Sequence, residues 1–184
     1  MDLSRRQALT ATGATVLGAT GIVINSRQAS GSSVELDTLN VEDVAHNTDG
    51  EEIESIDLTV DARYEYETNR SVDRFEIDLL IGDASSTLMV IDTVEKEDIG
   101  QSGDGVETLS NSLTSTYHYS TESFEPNGDT TRNTTVWVGL EFRLYSGDEV
   151  VESAKLTDTA TVSVDGSELE VSVSLGGVGS IDVE

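Results

Sequence analysis

His46 and His118 are the only histidines in a 184-residue chain that has no cysteine. Imidazole chemistry must therefore pass through one of them, and thiolate chemistry is closed. A zinc centre takes three or four nitrogen or sulfur ligands, which two distant histidines do not supply. A Ser-His-Asp set can be assembled on paper in any chain this rich in Ser and Asp. The nucleophile-elbow signature G-x-S-x-G that would give such a set meaning is absent. Both histidines are therefore expected as surface or strand-edge residues. Carboxylate pairs of the kind that hydrolyse glycosides do not stand out from the acidic background.

Calcium takes its oxygen ligands from closely spaced carboxylates, and two places invite it. Asn47-Thr48-Asp49-Gly50 is the nearest approach to an EF-hand loop, but the first ligand position would be Ala45 and the twelfth Ile56. Glu95, Glu97, Asp98, Asp104 and Glu107 surround a Gly-rich stretch, Ile99–Gly105, which could hold an ion between two strands. Because acids are spread over the whole chain, a solvated acidic loop is the expected reading, and no cofactor is assigned. Trp137 and Tyr145 share one face of an alternating segment and could stack on a carbohydrate, although such a Trp more often packs under a covering loop. Asn69-Arg70-Ser71 and Asn133-Thr134-Thr135 match the N-x-[ST] pattern of glycosylation acceptors.

The elements that carry these residues follow period two. Ile56, Leu58, Val60, Ala62, Tyr64 and Tyr66 alternate with Asp57, Thr59, Asp61, Arg63 and Glu65, the pattern of a strand with one buried and one wet face. Phe75, Ile77, Leu79 and Ile81 repeat it, as do Val136, Val138, Leu140, Phe142 and Leu144. Weaker strands are expected at Val34–Val41, Leu88–Val94, Glu107–Tyr119 and Glu149–Lys155. Asp165-Gly166 is a favoured two-residue hairpin pair and predicts Val164 opposite Ser167, Val162 opposite Leu169 and Ala160 opposite Val171. Further turns are expected at Ser146-Gly147-Asp148 and at Asn127-Gly128-Asp129. No segment after residue 30 carries a capped helical stripe. Eight or nine strands without helices predict an antiparallel β-sandwich, Ig-like in the broad sense, with a jelly roll as the rival topology. About 150 residues suffice for one core without staples.

The whole chain has 36 acids against 10 Lys and Arg. Such a surface repels itself in dilute salt, where the Debye length is about 8 Å, and far less at about 3 Å in molar salt. No basic patch offers itself to nucleic acid. At the N-terminus, Ser4-Arg5-Arg6-Gln7-Ala8-Leu9 runs into an uncharged stretch, Ala8–Ile24, rich in Ala, Gly and Thr. A charged region followed by a short apolar one is a secretory signal. It resembles the twin-arginine type, whose pattern Ser/Thr-Arg-Arg-x-Phe-Leu-Lys is met at Ser4, Arg5, Arg6 and Leu9 and missed at Ala8 and Thr10. A transmembrane anchor needs about 20 strongly apolar residues, and this run is shorter and diluted. Cleaved export is expected, with Gln28-Ala29-Ser30 a fair cleavage site; contact with a membrane would be only through an uncleaved N-terminal segment.

Together with the acidity and the scarcity of lysine, the signal makes the chain resemble exported proteins of halophilic archaea. The expected organisation is a signal segment over 1–29, a linker over 30–33 and one sandwich domain over 34–184. The expected function is that of a non-enzymatic, secreted or cell-surface protein that acts through protein partners or self-assembly in an envelope, filament or adhesion layer; a carbohydrate- or calcium-binding module is the alternative. The segment Ser30–Val44 could add as a strand to a neighbouring subunit, with pairing inside its own domain the favoured fate.

Overall fold

In the computed structural model, residues 24–27, 33–49, 52–128, 130–165 and 170–182 are described. They form nine strands: β1 Ile24–Arg27, β2 Ser33–Asp49, β3 Glu52–Glu67, β4 Arg74–Gly82, β5 Met89–Glu97, β6 Ser102–Ser112, β7 Thr131–Ser146, β8 Glu149–Asp165 and β9 Glu170–Asp182. One sheet has the order β1-β2-β3-β6 and the other β5-β4-β7-β8-β9, with antiparallel pairing throughout. The expected antiparallel β-sandwich is the observed one. Arg5 and Arg6, and with them most of the expected signal segment (1–29) and of the expected linker (30–33), lie outside the described residues; β1 occupies Ile24–Arg27 and β2 begins at Ser33.

The three clear stripes become the core. Ile56, Leu58, Val60, Ala62, Tyr64 and Tyr66 of β3, Phe75, Ile77, Leu79 and Ile81 of β4, and Val136 to Leu144 of β7 at every second position are all buried. Tyr64, Tyr66, Phe75 and Phe142 form one aromatic cluster, with Phe142 centred 5.3 Å from Phe75 and 5.4 Å from Tyr64. β2 shows why its own pattern reads weakly. Its apolar residues Val34, Leu36, Leu39, Val41 and Val44 are spaced by two and three in turn, and bulges between Leu36 and Thr38 and between Val41 and Asp43 take up the extra residues. The register then sets Leu39, Val41 and Val44 opposite Ala62, Val60 and Leu58, each buried in β3. Ser33–Val44 thus pairs within its own domain, as favoured.

The structure corrects the hairpin register and several strand ends. The hairpin of β8 and β9 closes with Asp165 opposite Glu170, and Val164, Val162 and Ala160 face Val171, Val173 and Leu175; Gly166 lies outside the described residues. The shift from the expected register is even, so each strand keeps its faces, and apolar residues now oppose apolar ones. β8 runs unbroken from Glu149 to Asp165, although the expected strand stopped at Lys155. The interruption in its stripe is an inward Asp158, 2% exposed, whose carboxylate accepts the Thr159 amide at 2.7 Å.

The Gly-rich stretch expected as a loop enters β6 at Ser102. Gly103 and Gly105 pair with Tyr66 and Tyr64, whose rings lie over them. A Cβ on Gly105 would sit 2.7 Å from the Tyr64 hydroxyl and one on Gly103 2.8 Å from that of Tyr66. Each glycine makes room for a ring, so the strand keeps apolar cover without side chains of its own.

Candidate functional site

Residues 113–130 carry the chain from β6 in one sheet to β7 in the other. The expected strand Glu107–Tyr119 ends early, at Ser112, because side chains there compete for the backbone. Asn111 Oδ1 accepts the Ser112 amide at 2.8 Å, and the Thr116 amide and hydroxyl both donate to the Leu113 carbonyl, at 3.2 and 2.8 Å. Leu113 then turns inward to 0% exposure, and Tyr119 and Phe124, with ring centres 5.5 Å apart, close the end of the core. The Tyr119 hydroxyl lies 2.9 Å from the Gly82 carbonyl and 3.2 Å from that of Thr135, so it ties the crossover to β4 and β7.

Between these anchors the chain lifts Tyr117 into solvent, 90% exposed. Beside it, at the start of β5, Met89 and Val90 are 50% and 51% exposed. The three side chains, with Ile91, Asn111, Ser115, Thr116 and His118, line a pocket of about 240 Å³. No carboxylate lines it, on a chain with 36 acids. The remaining large exposed apolar residues among those described, Val106 and Val150, do not line it. Single exposed apolar residues are ordinary; a cluster of them around a concavity marks a contact site.

His118 departs from its expected surface position, since its side chain is only 9% exposed. Nδ1 lies 3.6 Å from Asp83 Oδ1, and Nε2 is out of solvent with no hydrogen-bond partner. The Asp83 carboxyl is held below the usual carboxylate range chiefly by the Thr87 hydroxyl, which donates to it. Nε2 is thus closed off from solvent in this arrangement, and Nδ1 stands beyond hydrogen-bond distance of the Asp83 carboxylate. His46 stands in β2 opposite Ile56.

The seam beside the pocket joins the two sheets. Asp92 Oδ2 accepts the Ser110 amide at 2.8 Å, the Asn111 side chain donates to the Ile91 carbonyl, and Lys96 pairs with Glu107. Edge groups of β5 and β6 are thus satisfied inside the molecule. These links also divide the acidic cluster that is expected as a solvated loop and has a calcium site as its rival reading. Glu107 is held by Lys96 and Glu95 by Arg74 at 3.3 Å, while Glu97, Asp98 and Asp104 are exposed. No group of three potential ligands converges among the described residues.

Trp137 is half-buried in β7, opposite Gly82 and Thr159. Tyr145 is 7% exposed: the Arg74 guanidinium lies 3.8 Å from its ring centre, and its hydroxyl donates to Glu76 at 2.7 Å. The two rings therefore do not form an open row. Asn69 is exposed in the connection from β3 to β4, and Asn133 is exposed near the start of β7, where its Oδ1 accepts the Ser163 hydroxyl at 2.6 Å. Among the described residues no helix is long and apolar enough to cross a membrane.

Burial pushes the Tyr119 phenol up to about 12 from 10.0. The folded value lies above the unfolded one, so this contribution is intact below pH 10 and is lost as pH rises towards 12. An alkaline titration at constant molar salt should show the tyrosinate of Tyr119 appearing together with unfolding. Tyr119→Phe should remove that component, at a cost near 1 kcal/mol from the lost hydrogen bond; early ionisation without loss of structure would contradict the buried placement.

No protein-family model matches the chain, and neither does any curated protein sequence.

Proposed function

We propose that the protein is a non-enzymatic, exported β-sandwich that works in concentrated salt at or beyond the cell surface, through protein contacts made by Met89, Val90 and Tyr117. The observation that supports this reading is the neutral, partly apolar pocket in an otherwise acidic coat. Two acidic proteins approach each other most easily where neither carries charge, and removing apolar surface from water supplies the attraction. A second copy is the simplest occupant, because a neutral apolar patch is complementary to itself across a two-fold axis. The pocket is of a size to take a single large side chain, and Tyr117 stands at its rim to offer one. Nothing in the charge distribution favours nucleic acid.

Light scattering on the full chain in molar salt tests it. The wild type is expected to give a mass above that of one chain, and Val90→Glu with Tyr117→Ser to return it to a monomer that keeps its β-sheet circular-dichroism spectrum. A wild type that stays monomeric up to high protein concentration would remove self-association through this face. An assembly indifferent to both substitutions would place the contact elsewhere.

A further inference from the structure

We propose that Asn127 is a site of spontaneous deamidation, which converts the tip of the loop before β7 from a neutral side chain into a carboxylate. The reaction needs three things: a side-chain amide, a following backbone nitrogen free to attack it, and freedom to bring the two together. Asn127 is the only one of the seven asparagines that is followed by glycine. Both residues are exposed, Gly128 has φ of 63°, and a Cβ there would meet nothing within 4 Å. No described residue accepts the Gly128 amide. The neighbouring bonds leave both reacting groups unused: the Thr130 hydroxyl donates to the Asn127 backbone carbonyl at 2.9 Å and Arg132 to the Glu125 carbonyl at 3.2 Å, and neither engages the Asn127 side-chain amide or the Gly128 nitrogen.

The other asparagines are held. Asn111 uses both ends of its amide, donating to the Ile91 carbonyl and accepting the amide of Ser112, the very nitrogen that would have to attack. After Asn69, the Arg70 amide is spent on the Thr68 hydroxyl at 3.1 Å. Asn133 lies in the ladder of β7, while Asn25, Asn40 and Asn47 lie in β1 and β2. Ladder backbone does not reach the attack geometry without local opening.

At Asn127 the Gly128 nitrogen gives up its proton to water and bonds to Cγ, and the Cγ–Nδ2 bond breaks, releasing ammonia and leaving a succinimide. Water then opens that ring at either carbonyl, giving aspartate or isoaspartate. One negative charge is gained and nothing is oxidised or reduced.

Incubation of the full folded chain in molar salt at mildly alkaline pH, followed by cleavage after Lys96 and Arg132, reads the outcome within one peptide that contains both Asn111 and Asn127. Asn127 is expected to convert at least about tenfold faster than Asn111, the factor that 1.4 kcal/mol of local order withholds. Unfolding the chain in denaturant should raise the Asn111 rate and leave that of Asn127 nearly unchanged, and Asn127→Gln should abolish the isoaspartate signal. Conversion of Asn127 only in the denatured chain, or of both residues equally in the folded one, overturns the proposal.

Discussion

Phe142→Ala is expected to cost about 3–5 kcal/mol, the range for removing a buried aromatic ring and leaving its cavity. Phe142 is fully buried in β7, and its ring centre lies 5.4 Å from Tyr64, 5.9 Å from Tyr66 and 5.3 Å from Phe75. These partners come from both sheets, so the ring is a joint of the sandwich as well as filler. Collapse into the hole is resisted from both sides. Tyr64 and Tyr66 lie over Gly105 and Gly103, and Phe75 is paired with Leu144 and Lys96 in the ladders on either side of it. Since a domain of this size has about 5–15 kcal/mol in all, the substitution should leave a large unfolded fraction. Urea melts at fixed molar salt check this, with Val106→Thr as the control. Because Val106 is 47% exposed and stands outside the pocket, that near-isosteric change should stay within about 0.5 kcal/mol. Equal losses in the two variants would mean that the aromatic cluster does not join the sheets.

The strands β3, β4 and β7 were legible because one face is buried and the other wet along their whole length, so composition alternates with the pleat. β2 was only half legible, since bulges at Asp37 and Glu42 break the period without breaking the strand. Gly103 and Gly105 misled for a related reason: glycine usually signals a loop, and the tyrosines that cover these two are about forty residues away in sequence and meet them only through the β3–β6 ladder. The hairpin register could not be found from alternation, because any even shift preserves it.

At the site the failure is of another kind. Met89-Val90 follows Leu88 as a short apolar run, which reads as a strand start, and Tyr117 sits in a polar stretch. Their meeting depends on the turn at Leu113, set by the Asn111 and Thr116 side chains, which no periodic pattern announces.

Lowering salt from molar to millimolar is expected to bring the melting temperature down steeply, and the structure points to where part of that loss arises. Glu35, Glu65 and Asp104 are consecutive partners across β2, β3 and β6, so three carboxylate residues stand in one row of the first sheet. Glu65 and Asp104 are exposed, and no ion pair reaches either among the described residues. Like charges directly opposed on a sheet are destabilising, by about 0.2–1 kcal/mol a pair. The second sheet handles its own opposed acids differently: Glu76 faces Glu95, and Arg74 bonds to both. Glu76 and Glu95 thus have their counter-charge within the chain, while Glu65 and Asp104 leave theirs to the solvent, where ions screen only when the Debye length of about 10 Å at 0.1 M has shrunk to about 3 Å at 1 M. Asp104→Asn should therefore raise the melting temperature at low salt and leave it unchanged at high salt, whereas Arg74→Gln should lower it at both, because it strips a partner from Glu76 and the cation from the Tyr145 ring. A melting temperature independent of salt in the wild type, or an Asp104→Asn effect of equal size at both salts, would show that repulsion along this row does not limit the fold.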